Sequence, residues 1–165
     1  MAIGARFRKF FFPSLTPRYL LRVSVLALSA FIFFGFVCIP VTIRGKSMEP
    51  TYRDRSYNFC WRLKYFFRSP ERYDVVFIRL ARKVMLLKRV VALEGEEVEF
   101  RNGKLLVNGR EISEPYIRYG ANWDLPPRRV EKGCVYVVGD NRGTSFHEHY
   151  FGQTPVRRVA GGPLW

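Results

Sequence analysis

One stretch of this chain stands apart from the rest in its hydrophobic pattern. From Val23 to Ile43 it reads VSVLALSAFIFFGFVCIPVTI, without a charge. A helix rises ~1.5 Å per residue, so ~20 apolar residues cross a hydrocarbon layer of ~30 Å. No second apolar helical segment exists to enclose this one as a core helix. A cleaved leader would carry a shorter apolar region of about 7–15 residues, followed by a small-x-small site. Here Cys38-Ile39-Pro40-Val41 follows. The pattern therefore predicts a transmembrane helix over 23–43.

Beyond it the rhythm shortens to that of strands. Asp74–Ile78, Val84–Leu93, Glu97–Phe100, Lys104–Val107 and Val135–Val138 are β-rich runs bounded by turn residues. Asn102-Gly103 is a strong type I′ hairpin signal, and Asn108-Gly109 makes another turn at once. Gly139-Asp140-Asn141 ends the last run. Residues 116–129, with Pro126-Pro127, read as a long loop. Residues 60–68, CWRLKYFFR, interleave aromatic and basic side chains. They fit either a core strand or helix with charged edges, or a patch resting on lipid headgroups. The fold class expected is mainly β: one N-terminal transmembrane helix followed by a small, strongly curved antiparallel sheet domain.

Charge adds an orientation. The 165 residues hold 28 Lys+Arg against 14 Asp+Glu, a formal +14, with 48% apolar and 16% aromatic residues. That is too apolar for a disordered basic tail. Arginines are scattered rather than gathered, which disfavours nucleic acid as a partner. Five basic residues and no acid lie in residues 1–22, which places this end in the cytoplasm. The division expected is a basic cytoplasmic segment 1–22, the helix 23–43 and an extracytoplasmic domain 44–165. That domain keeps a net +9 and suits an anionic lipid bilayer. Cys38 falls in the span, while Cys60 and Cys134 would face an oxidising compartment and could pair.

Candidate chemistry is sparse. His147 and His149 lack the spacing of a metal site, and no Gly-rich phosphate loop is present. Lys88 stands out in MLLKRVVAL. In a strand it shares a face with Leu86, Val90 and Ala92, while Arg89 points the other way. Burial disfavours an ammonium and lowers its pKa, and a neutral amine can act as a general base. An edge lysine snorkelling to water is the competing reading. Ser47 follows the Gly45 turn, four residues beyond the apolar run and so close to the bilayer surface. By itself it reads first as an ordinary turn serine.

The ordered set is more specific than its parts. GKSMEPT, YDVVFI, LKRVVALEGE and GDNRGTS follow one N-terminal span in that order. The chain resembles the type I signal peptidase family, membrane-anchored Ser-Lys endopeptidases, in near-minimal form, over residues 41–162. The resemblance implies that Ser47 is the nucleophile, Lys88 the general base, and Ser145 a second serine that orients Lys88. Asp140, Asn141 and Arg142 match a structural turn beside the site, and Arg89 is expected to pair with Asp140. The oxyanion would rest mainly on the Ser47 backbone N–H, since Gly45 stands where some members place a hydroxyl. Ile43, Met48 and Leu87 are candidate pocket walls. One departure is His147-Glu148-His149, where members usually carry Asp-Ser-Arg.

The resemblance further implies removal of signal peptides through an acyl-enzyme, with no metal or organic cofactor. Substrates would be exported preproteins with small residues at the first and third positions before the cut. The location implied is the bacterial cytoplasmic (inner) membrane, single-pass, with the secretion translocon in possible proximity. Two alternatives are a peptidase dedicated to one secretion or pilus-assembly system, and an inactive membrane-tethered module that binds signal peptides.

Overall fold

The computed structural model describes residues 16–81, 84–120, 122–143 and 151–165. The chain divides into two compact units, Met1–Phe36 and Val37–Trp165.

In the first unit, helix α1 spans Pro17–Ile32. Thr16 caps it: its side-chain oxygen accepts from the Tyr19 N–H at 3.3 Å. Proline at the first helical position has no N–H to leave unsatisfied. The helix runs on through a wider π turn over Phe33–Val37. From Pro17 to Val37 it is long and apolar enough to cross a membrane, and none of its apolar window is buried within the protein.

The apolar run thus splits differently from the sequence expectation. The helix starts at Pro17 rather than Val23, and Cys38–Thr42 leave it to form strand β1. Apolar content alone concealed this change of period. Ile39 and Val41 pack into a cluster with Ile43, Met48, Cys60, Val75, Phe77 and Leu87. Pro40, which cannot donate to a ladder, is exposed on an edge strand that, among the described residues, pairs only with Tyr57–Trp61. The β unit therefore begins before residue 44.

Among the described residues the second unit forms two antiparallel sheets. The larger has the order β1-β2-β11-β3-β4-β9-β10. Its strands besides β1 are β2 (Tyr57–Trp61), β3 (Val75–Ala81), β4 (Val84–Ala92), β9 (Cys134–Val138), β10 (Gly152–Pro155) and β11 (Val159–Pro163). The smaller has the order β7-β6-β5-β8, from β5 (Glu97–Arg101), β6 (Lys104–Val107), β7 (Arg110–Glu111) and β8 (Leu125–Arg129). Asn102 and Gly103 both have positive φ, 48° and 78°, as the expected I′ turn between β5 and β6 requires.

β8 corrects the expected loop over 116–129. Its two prolines sit on an edge strand, where the pairing with β5 slips between Val98 and Phe100. An edge position and a slip are the two settings in which a sheet tolerates missing N–H groups. Residues 60–68 do not form one element. Cys60 and Trp61 close β2, Arg62–Tyr65 form a short 3-10 turn, and Phe66 and Phe67 are 70% and 89% exposed.

Three apolar clusters hold the sheets. Phe100, Leu105, Val107, Trp123, Val130 and Val138 belong to the cluster of the smaller sheet, with Trp123 stacked on Phe151 at 5.5 Å. Cys134 lies in this cluster and Cys60 in that of β1, and both are free thiols. The pairing considered from sequence does not form. A further correction concerns β4. Its register against β9 slips between Val90 and Ala92. Ala92 joins Val91 in the smaller sheet's cluster, whereas Leu86 and Val90 pack with Val76, Ile78, Val135 and Val137. A bulge resets the alternation on which the face assignment rested.

Candidate active site

Lys88 lies in the middle of β4, opposite Val76 of β3, and is 2% exposed. Ser47 lies in a turn after Gly45, whose φ of 96° suits glycine. The Gly45 N–H donates to Asp54 Oδ1 at 2.7 Å, and the Ile43 N–H to the Ser56 carbonyl at 2.8 Å. These bonds close the loop that presents Ser47. Lys88 Nζ and Ser47 Oγ are 2.8 Å apart.

The backbone after β9 fixes the other side. The Asn141 N–H donates to the Ser47 carbonyl at 3.0 Å, and Asn141 Nδ2 to the Lys46 carbonyl at 3.1 Å. Gly139 is pressed between them. A Cβ on it would collide with the Ser47 carbonyl oxygen and come within 3.3 Å of Lys88 Nζ. Only glycine admits the serine loop this close to the lysine.

Electrostatics separates Lys88 from its neighbour. Burial pulls the Lys88 amine down to about 8 from its usual 10.5, and the charge of Asp140 partly opposes this. Asp140 is fully buried and spends its oxygens elsewhere. Arg89 Nε donates to its Oδ1 at 2.8 Å and Arg89 Nη2 to its Oδ2 at 2.6 Å. The Thr51 hydroxyl donates to Oδ2 at 2.6 Å. The Arg89–Asp140 pair expected from sequence is present. Among the described residues, no carboxylate lies within ion-pair distance of Lys88.

A cleft of ≈ 350 Å³, counted to its open mouth, adjoins Ser47. It runs between the segment leading into Ser47 (Val41–Gly45) and the part of β4 leading into Lys88 (Met85–Leu87). Ile43, Met48 and Leu87 all line it. Phe77 and Met85 line it too and were not singled out from sequence. Phe77 pairs with Leu87 across β3 and β4, a cross-strand register that the sequence does not mark. β9 pairs β4 only from Arg89 onward, so Val84–Lys88 are paired on the β3 side alone among the described residues. Ser145 and the segment His147-Glu148-His149 lie outside the described residues. No cluster of metal-ligating side chains occurs among the described residues.

A part-buried serine–lysine contact in a cleft can activate a hydroxyl without histidine, which defines a class of hydrolytic site. The signal peptidase family, peptidase S26, matches residues 17–163, and the chain belongs to it. Thylakoidal processing peptidase 1 of Arabidopsis thaliana is 34% identical over 143 residues, covering 79% of this chain and 42% of that protein. Signal peptidase I of Bacillus caldolyticus is 29% identical, covering 88% of this chain and 85% of that protein. Signal peptidase IB of Staphylococcus aureus is 29% identical, covering 87% and 84%. The chain spans about two fifths of the length of the Arabidopsis relatives. A crystal structure of a signal peptidase I from Enterococcus faecalis aligns with 58% of this chain at 29% identity and a TM-score of 0.47.

Proposed function

We propose that this protein is a membrane-bound serine endopeptidase that removes signal peptides from exported preproteins with a Ser47–Lys88 dyad. The observation that carries this is the 2.8 Å contact between Ser47 Oγ and an amine that burial lowers to about 8. A weakly basic amine near working pH is suited to take a hydroxyl proton and return it.

Neutral Lys88 removes the Ser47 proton as Ser47 Oγ attacks the scissile carbonyl. The tetrahedral oxyanion is met by the Ser47 backbone N–H; such a donor often contributes ~3 kcal/mol. The ammonium of Lys88 then protonates the leaving amine, the C–N bond breaks, and an acyl-enzyme remains on Ser47. Lys88 next deprotonates a water that attacks the ester, and Ser47 regains its proton. Ser145 orients Lys88 in this reading, and the Arg89–Asp140 pair holds the flanking backbone.

The edge of β4 beside the cleft, which has no strand partner among the described residues, suits a peptide added as a strand. Ile43, Met48 and Leu87 leave shallow apolar walls for small side chains before the cut. Helix α1 anchors the chain with its basic end in the cytoplasm and residues from 38 onward outside, in a bacterial cytoplasmic membrane. The exposed Phe66 and Phe67 beside Arg68 support contact of the β unit with anionic lipid.

The test is cleavage of a preprotein by the full chain in detergent, with the product mass giving the cut. Ser47→Ala and Lys88→Ala are each expected to lower kcat at least about 1,000-fold with the fold intact. Retained cleavage in either variant would remove the dyad.

A further inference from the structure

The turn that holds Ser47 against Lys88 is itself held through Glu114 and Tyr116, which no motif identified. Arg142 is buried, and its Nε donates to the Gly139 carbonyl at 2.8 Å. Its Nη2 donates to Glu114 Oε1 at 2.6 Å, with Nη1 3.4 Å from Oε2. The Tyr116 hydroxyl donates to the same Oε1 at 2.6 Å. The Tyr116 ring lies 4.0 Å from the guanidinium of Arg89, which grips Asp140. Asp140 directly follows Gly139, so the contacts form a closed circuit. They run from Gly139 through Arg142, Glu114, Tyr116 and Arg89 to Asp140.

The circuit closes on Gly139, where an added Cβ would meet both the Ser47 carbonyl and Lys88 Nζ. Arg142 is otherwise stacked near Phe100 and Trp123, at 5.1 and 5.8 Å, in the apolar cluster of the smaller sheet. Without Glu114 its charge would lose the only carboxylate bonded to it among the described residues. A buried cation so exposed to apolar surroundings shifts toward water. The Gly139 carbonyl would then lose its donor, and the backbone against Ser47 would relax. Displacement of a reacting group by about 1 Å can lower a rate about 100-fold.

We propose that Glu114 is a positioning residue of the cleavage reaction, which sets the Ser47–Lys88 distance through Arg142 and Gly139 and is braced by Tyr116. This rests on the dyad reading above. It places the smaller sheet's connection, not only the larger sheet, in control of the site.

The experiment compares Glu114→Gln, Glu114→Asp and Tyr116→Phe with Ser47→Ala, as full chains in detergent on one preprotein substrate. Glu114→Gln is expected to lower kcat about 10- to 100-fold with KM within about twofold, because the substrate cleft does not include Glu114. Glu114→Asp keeps the charge and should recover most of that loss. Tyr116→Phe keeps the ring on Arg89 and should lower kcat about threefold with KM unchanged. Thermal melting of each variant separates a displaced site from a partly unfolded chain. If Glu114→Gln fails to fold, Tyr116→Phe carries the test. Wild-type kcat in the folded variants, with Ser47→Ala inactive, would overturn the positioning role and leave the dyad standing. Cleavage by Ser47→Ala would instead overturn the dyad, and the positioning role with it.

Discussion

Lys88 and Arg89 are adjacent on β4, both cations and both buried, at 2% and 9% exposure. They occupy different environments. Arg89 meets a fully buried carboxylate through two hydrogen bonds, a backbone carbonyl of Tyr73 at 2.9 Å and a ring face. Lys88 meets a serine hydroxyl. Pairing keeps Arg89 charged and makes it a clamp. Burial lowers the affinity of Lys88 for a proton, with no carboxylate paired to it among the described residues, and in the proposed reading this suits it to act as a base. Burial of a cation alone therefore does not identify a reactive group; what decides is where the nearest carboxylate is committed.

The clamp side breaks with the larger effect. Asp140→Asn leaves Arg89 buried beside a neutral amide, and removing one partner of a buried pair typically costs about 3–5 kcal/mol. Chemical denaturation should show that loss, along with lost cleavage. Gly139→Ala attacks the boundary between the two cations. The added methyl has to displace the Ser47 carbonyl, so kcat should fall about 100-fold and stability should fall by about 1–3 kcal/mol, less than for Asp140→Asn.

The reactive side should behave in the opposite sense. Folding lowers the Lys88 pKa from 10.5 to about 8. The unfolded chain thus holds this proton more tightly. The resulting penalty on folding is fully present below pH 8 and fades as pH rises toward 10.5. Lys88→Met removes it and loses one hydrogen bond, so the inactive variant should be about 2 kcal/mol more stable at pH 7. Its advantage over the wild type should vanish above pH 10.5. A destabilised Lys88→Met at neutral pH would mean the two cations do not differ as described.

Local features were legible in the sequence and long-range ones were not. Asn102-Gly103 fixes a hairpin through its own backbone preferences, and the Ser47, Lys88 and Asp140 blocks carry spacing that a reader can match. The start of β1 was hidden because strand Cys38–Thr42 continues the apolar run of the helix without a polar break. Pro126-Pro127 argued for a loop, and only the edge position of β8 reverses that argument. Glu114 and Tyr116 carried no signal. Their partners Arg142 and Arg89 lie 28 and 27 positions away, and nothing in the composition of residues 112–120 marks them as part of a site.

The central claim is that Lys88 works as a neutral base, and the pH dependence of kcat/KM for preprotein cleavage tests it most directly. The free protein should lose activity about tenfold per pH unit below about 8, as the amine gains its proton. The limb should be set by a single group. An acid limb near the unperturbed lysine value of 10.5, or a rate flat down to the carboxylate range near 4, would contradict a buried neutral lysine as the base.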